Sequence, residues 1–480
     1  MSDHITEEFV SVDLKDRRRN RRLLKVVTAL ADAPSVSLCA ASGGWAEIIA
    51  TYRLLSSDEV TPKALLAPHQ AAVARRCAEH SCVIVAQDTT ELNFTPMTST
   101  TGLGPLSDEK QRGFYMHGLY AVSENGLPLA ILDAIIVKRD DENFRINSTR
   151  KQRPIEEKES FRWIEGYQRT CELARSLPDD CEVFSVSDRE GDIYELFNAG
   201  AQAAAEGGRR AEWLVRANQD RALLGITKGE PSKLFAALEA SPELGQIEFQ
   251  MTSKKWRTIK KKKVSAVAAP RSARKVIQSV RAMKITPRPP DRAGGAKIAP
   301  TSFWAVLAEE IDPPAGEDPV RWVLLTSKPV ETFEEACRMV KLYLRRWDIE
   351  VFHRVLKTGC RVEQIQLKTV EALLNTLMIY SVIAWRILYL THLGRHSPEL
   401  PCGTVFSEGE WKATCAVVKR PVTAGEPTIG EFIKIVGKLG GHPGRKSDGP
   451  PGPQSIWRGM ARVRDFGQAW QVMHGNGSES

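Results

Sequence analysis

The sequence predicts an α/β protein in which a mixed β-sheet is layered with helices and flanked by helical segments at both ends. Two short apolar runs, residues 82–86 (CVIVA) and 183–186 (VFSV), have the length and β-branched content of buried strands. An Asn125-Gly126 pair sits between two further strand-like stretches, 115–122 and 129–137, and marks a hairpin. Helical periodicity surrounds these strands, at 23–30 and 45–55 before them, at 155–177 between them and from Thr332 onward after them.

Each element follows from local chemistry. Leu23, Leu24, Val27 and Leu30 recur at helical spacing until Pro34 stops them, and Gly43-Gly44 opens a second helix from Trp45 to Leu55. Residues 1–70 therefore form a small basic helical module. The segment 155–177 predicts an amphipathic helix opened by acids and closed by Pro178. Between 216 and 319, glycines, prolines and alternating apolar and basic residues such as 276–285 predict a β-rich insertion. Regular patterning resumes at 321–326, and Pro329 precedes a long helix starting near Thr332. The region 371–480 then holds a further helix to about Leu393 and a Gly/Pro-rich loop at 440–453.

Composition narrows the function classes. A chain of 480 residues with a hydrophobic fraction of 42% is too large for one simple core and too apolar for disorder. The net charge of +8 is concentrated in two runs, 15–22 (KDRRRNRR) and 254–263 (KKWRTIKKKK), which favours a polyanionic partner. Arg17, Arg18 and Arg19 are thus candidate nucleic-acid contacts, and Trp256 within the second run suits base stacking. The nine cysteines are scattered without a C-x-x-C pair and no signal-peptide pattern is present, which predicts reduced thiols in the cytoplasm. The most apolar stretch, 372–385, is shorter than the roughly 20 residues a bilayer requires, so no membrane association is expected.

The candidate chemistry lies in three acids. Asp88 and Asp188 follow the two buried runs, at strand ends where open α/β sheets place ligand-binding groups. Glu350 shares a predicted helix with Tyr343, Arg346 and Lys357, and at about 100° per residue the four fall within an arc of roughly 60°. A phenol, two cations and a carboxylate on one face could simply be a solvated ion-pair stripe. Three carboxylates on separate elements could instead hold two Mg²⁺ or Mn²⁺ ions, since hard cations prefer oxygen ligands. Among nearby acids, Asp192 is better placed to cap the next helix, Glu190 to point away from Asp188, and Glu91 stays open as a secondary ligand. His353, one turn from Glu350, is expected to be structural.

In its motifs the sequence resembles the DDE transposases of bacterial insertion sequences, in particular the insertion-sequence-four group that includes the transposon-five transposase. The signature of that group is Tyr, two residues, Arg, three residues, Glu, six residues, Lys, and Tyr343, Arg346, Glu350 and Lys357 match it at all four positions. Gln87-Asp88-Thr89-Thr90 and Asp188-Arg189-Glu190-Gly191-Asp192-Ile193 resemble the first and second acid motifs. Further likeness lies at Thr51-Tyr52-Arg53, Lys158-Glu159-Ser160 and Ile456-Trp457-Arg458-Gly459.

The resemblance implies a ribonuclease-H-like catalytic domain over 71–370 carrying the β-rich insertion, an N-terminal end-recognition domain and a C-terminal dimerisation domain. It implies metal-dependent cleavage of double-stranded DNA at transposon ends through a hairpin, then joining to target DNA, by a homodimer assembled on the DNA. Tyr343, Arg346 and Lys357 inherit contacts around the scissile phosphate. Arg216 resembles a DNA-contacting arginine, although Asn218 stands where the well-known member has lysine. Trp322, a core tryptophan by pattern alone, occupies the place of an indole that stacks on a flipped base. A metal-dependent nuclease that never joins ends and a catalytically silent DNA-binding regulator are the rival readings.

Overall fold

The computed structural model describes residues 5–35, 37–141, 153–227, 229–251, 273–290, 298–420, 425–445 and 448–474, and its contacts divide the chain into two compact units. The second basic run, with Trp256, lies outside the described residues.

The first unit comprises Met1–Ile146 and Trp347–Ser480. It opens with α1 (Arg17–Asp32), α2 (Leu38–Ser42), α3 (Trp45–Leu55) and α4 (Pro62–Cys77). Asp16 caps α1 by accepting the backbone N–H groups of Arg18 and Arg19, and α1 buries Leu23, Val27 and Leu30 as the periodicity predicts, while Leu24 is only half-buried and Val26 is buried instead. Strands β1 (Cys82–Asn93), β2 (Gly104–Pro105), β3 (Arg112–Ser123) and β4 (Pro128–Val137) follow. β1 pairs with β3 and β3 with β4, all antiparallel, and the β3–β4 turn uses Gly126 at φ 84° as the Asn-Gly signal requires.

The same unit holds α9 (Trp347–Arg354), α10 (Val370–His396), α11 (Glu408–Val417), α12 (Ile429–Leu439) and α13 (Pro453–His474). At 27 residues α10 is long and apolar enough to cross a bilayer, but 83% of its most apolar window is buried inside the protein. Its Trp385 indole donates to the Pro128 carbonyl at 3.2 Å, and Asn375 donates to the carbonyls of Leu55 and Val60. It is a core helix. The last turns of α10 join α11 to α13 in one apolar cluster around Phe406, Phe432, Ile433 and Val463. Arg464 of α13 reaches Asp32 of α1 at 3.2 Å, tying the two ends of the chain together.

The second unit, Asn147–Arg346, contains α5 (Phe161–Arg175), α6 (Tyr194–Ala205), α7 (Leu234–Ala240), α8 (Phe333–Leu344) and strands β5 (Glu182–Ser187), β6 (Glu212–Arg216), β7 (Glu243–Met251), β8 (Arg274–Ile285), β9 (Phe303–Glu310) and β10 (Arg321–Thr326). β5 and β6 are parallel, whereas β6–β10, β10–β9, β9–β8 and β8–β7 are antiparallel. Phe197, Trp213 and Phe303 form its aromatic centre, with ring centroids 4.7 to 5.1 Å apart. The expected helix over 155–177 starts later, at Phe161, because its acids occupy a separate 3₁₀ turn, Ile155–Glu157. The insertion is β-rich as expected and also carries the short α7.

A run of antiparallel strands, then a helix and a parallel strand pair, with helical regions at both chain ends, is the mixed-sheet order of a ribonuclease-H-like core. The fold class inferred from the sequence is the one observed.

Candidate active site

In the first unit, β1 does not end at Asp88 as its apolar run suggests. The strand continues through Thr89-Thr90-Glu91-Leu92-Asn93, paired residue by residue with β3, so Asp88 stands in mid-strand. Hydrophobicity marks only where the strand leaves the deep core; the β-branched threonines carry the ladder further. Side chains alternate across a strand, which puts Asp88 on one face and Gln87 and Thr89 on the other. There the buried His117 ring bridges Gln87 Oε1 at 3.0 Å and Thr89 Oγ1 at 2.9 Å. Glu91 belongs to that opposite face as well, so it is no secondary ligand beside Asp88.

The Asp88 face packs under α9. Tyr120 of β3 stacks on Phe352 with centroids 4.9 Å apart, and Gly118, directly opposite Asp88 in register, leaves space for Ile349 and His353. Asp88 Oδ1 accepts the Thr89 N–H at 2.9 Å, and its Oδ2 lies 3.8 Å from His353 Nδ1. Burial, reinforced by the Lys357 cation, pushes the His353 pKa down to about 3, so the imidazole is neutral at physiological pH. Glu350 sits half-buried on α9, which packs on β1 and β3. Lys357 donates to the Glu91 carbonyl at 2.5 Å and lies 3.5 Å from the Glu363 carboxylate.

The single helix expected through Tyr343, Arg346, Glu350 and Lys357 is in fact broken. α8 ends at Leu344 with bonds from Arg345 and Arg346 to the carbonyls three residues back; α9 starts at Trp347; and Val355–Gly359 is a π-turn closed by Cys360 donating five residues back to Val355. A tightened turn followed by a widened one invalidates a constant 100° per residue. Gly359 lies where Trp457 leaves no room, since a Cβ there would meet the indole at 3.1 Å. Tyr343 and Arg346 therefore belong to the second unit, and Glu350 and Lys357 to the first.

The second unit gathers Asp188, Arg216, Tyr343 and Arg346. Tyr343 is 3% exposed, and the Arg216 and Arg346 guanidiniums act electrostatically on its phenol. Burial raises the Tyr343 pKa, the two arginines oppose that shift, and the Asp188 carboxylate is near enough to add to it. Burial likewise lowers the Arg216 pKa. Asp188 immediately follows β5 as expected, accepts the Glu190 N–H at 2.8 Å and remains half-exposed. Glu190 turns away to Arg162 at 2.9 Å.

Asp192 does not cap α6, whose N-cap is Ile193 with no side-chain bond. Its buried carboxylate accepts the N–H groups of Asn218 and Gln219 at 2.7 and 2.8 Å and pairs with Arg221 at 2.5 Å. It thereby secures the loop that follows Arg216, a role sequence spacing could not reveal because its partners lie about 26 to 29 residues away. Trp322 is half-buried on β10 opposite Ala308. Among the described residues, no three of His, Cys, Asp and Glu come together closely enough to hold a metal ion.

At the N-terminus, Arg17 and Arg18 are exposed, while Arg19 is half-buried and donates to the Leu14 carbonyl at 3.1 Å. Residues 1–60 match the family model described as transposase DNA-binding, and residues 382–474 match that of the transposase Tn5 dimerisation domain. At both ends the chain has the domain architecture of the Tn5-type transposases. Arg17, Arg18 and Arg19 lie within the first match. The second covers the whole cluster that joins α10 to α13, and supports a homodimer. Leu373, Leu377, Tyr380 and Ala384, which recur at helical spacing along α10, are all buried within the first unit and so belong to its core.

Proposed function

We propose that this transposase-type chain cuts double-stranded DNA at transposon ends and joins the freed ends to target DNA, with Asp88, Asp188 and Glu350 as its catalytic acids. The observation that carries this reading is the convergence of Arg216 and Arg346 on the Tyr343 phenol beside Asp188. Two partly desolvated guanidiniums next to an acid suit a phosphodiester, whose anionic oxygens accept charge-assisted bonds while the acid is placed to hold a cation beside them. The acids lie between the two matched terminal segments, and their assignment is supported by the sequence motifs and by their half-exposed positions beside β5, on β1 and on α9.

Carboxylate oxygens are the donors that Mg²⁺ and Mn²⁺ prefer; although no metal-binding cluster forms among the described residues, the three acids would supply oxygen ligands for two such ions, which supply charge neutralisation and activation of water or a 3′-hydroxyl. The residues themselves orient the DNA. Tyr343, Arg346 and Arg216 grip the phosphate, Lys357 contacts the adjacent backbone, and Trp322 offers a flat, partly exposed indole for an unstacked base. Arg17, Arg18 and Arg19 engage phosphates of the end sequence. The N-terminal, catalytic and C-terminal domains divide recognition, chemistry and pairing among 1–70, 71–370 and 371–480, in a cytoplasmic homodimer assembled on DNA.

The decisive experiment incubates the full-length chain with a duplex bearing the terminal repeat of its own element and a supercoiled target, with Mg²⁺, Mn²⁺ or chelator. The expected result is metal-dependent cutting followed by joined product. Cutting without joining would leave only a nuclease, and binding without either would leave a regulator.

A further inference from the structure

We propose that His353 is a positioning residue that holds the Asp88 carboxylate in its working orientation. The inference rests on the reading of Asp88 as a metal ligand and adds a residue to that site.

The geometry begins with Gly118. It is the residue of β3 directly opposite Asp88, so its missing side chain would have pointed to the same face of the sheet. A Cβ at that position would lie 3.3 Å from His353 Nε2 and 3.4 Å from Ile349 Cδ1. The imidazole thus rests on the glycine, directly beside Asp88, with Nδ1 3.8 Å from Oδ2. Phe352, stacked on Tyr120, fixes the helix turn that carries the ring.

Asp88 is then approached from two sides. Its Oδ1 accepts the backbone N–H of Thr89, and its Oδ2 faces Nδ1 of His353. At 3.8 Å Nδ1 is a polar neighbour of Oδ2 rather than a hydrogen-bond donor to it, and a carboxylate flanked at both oxygens is restricted in rotation and presents its outward lone pairs to a cation. Mere core filling explains the ring less well. Nε2 is buried and has no hydrogen-bond partner among the described residues, an arrangement that a leucine of similar volume would avoid.

The test measures Mn²⁺ binding to the full-length chain by titration calorimetry, with thermal unfolding on the same samples, for wild type, Asp88→Ala, His353→Leu and His353→Asn. The asparagine amide can replace the Nδ1 donor; leucine fills the space without one. His353→Leu should weaken Mn²⁺ binding by about ten-fold or more, the effect typical of losing an outer-sphere partner, while retaining a cooperative thermal transition. His353→Asn should stay within about three-fold of wild type because its amide keeps a polar donor facing the carboxylate. Wild-type Mn²⁺ affinity in folded His353→Leu, when Asp88→Ala has lost binding, would overturn the positioning role alone. An asparagine variant no better than leucine would do the same. Unchanged binding in Asp88→Ala would overturn the ligand reading of Asp88 and the role of His353 with it.

Discussion

Asp188 and Asp192 lie four residues apart in one motif, and replacing each by alanine should produce opposite phenotypes. The Asp192 side chain is 0% exposed and its partner Arg221 8%, and the carboxylate also satisfies two backbone N–H groups. Removing one member of a buried pair strands the other, at a cost of about 3–5 kcal/mol. The two orphaned N–H groups overlap with that cost, because water entering the vacated space serves all three donors. For a unit of about 200 residues, a loss of that size lowers the melting temperature by roughly 2–4 °C per kcal/mol, or about 6–20 °C in total. Asp188→Ala removes a single acceptor at a half-exposed position, worth about 0.5–1.5 kcal/mol, and should shift melting by only a few degrees while abolishing cleavage. Differential scanning calorimetry and an end-cleavage assay on the same preparations separate the two. Asp192→Ala melting with wild type, or Asp188→Ala melting as low as Asp192→Ala, would refute the division of roles.

Asp88→Ala and Glu350→Ala should abolish Mg²⁺-dependent cleavage while sparing end binding in a gel shift, and chelation of wild type should reproduce them, because the protein's grip on phosphate survives removal of the carboxylates. Trp322→Ala should impair hairpin formation more than first-strand nicking; equal loss of both, with a large drop in melting temperature, would return the indole to the core. Neutralising Arg17 and Arg18 together should reduce the slope of log affinity against log salt by about 2, near 0.9 for each phosphate no longer neutralised, and an unchanged slope would return both to solvated surface. Val472 and Met473 are 72% and 70% exposed near the end of α13, inside the matched dimerisation segment. Glutamate at both should leave melting and single-end binding intact but prevent a two-end complex in analytical ultracentrifugation. Two-end assembly at wild-type protein concentration would move the pairing surface elsewhere.

Much of the architecture was legible because it depends on local chemistry. The Asn125-Gly126 hairpin requires a positive φ that Gly126 supplies, and Asp16, Pro34 and the Leu23-Val27-Leu30 stripe define α1 within the chain itself. The apolar runs located β1 and β5 but not the true length of β1, since its second half is held by pairing with β3 and its side chains there are only partly buried. Nor could periodicity say what covers an apolar helix. The answer for α10 comes from β4 and α4, distant in sequence and packed against it.

The site shows the same limit more sharply. A spacing of Tyr343, Arg346, Glu350 and Lys357 suggests one helical face, yet the chain passes from one compact unit to the other between Arg346 and Trp347, where the helix is interrupted. A motif can keep its spacing without keeping a common axis, because what matters chemically is where each side chain is delivered. Tyr343 and Arg346 are delivered to Asp188 and Arg216 by the end of α8, whereas Glu350 rides on α9 above β1. Partners such as Gly118 for His353 and Asn218 for Asp192 carry no sequence signal at all, since a glycine reads as a weak strand residue until its register opposite Asp88 is known. The three acids stand out as candidates by residue type alone, whereas these contacts become visible only as geometry.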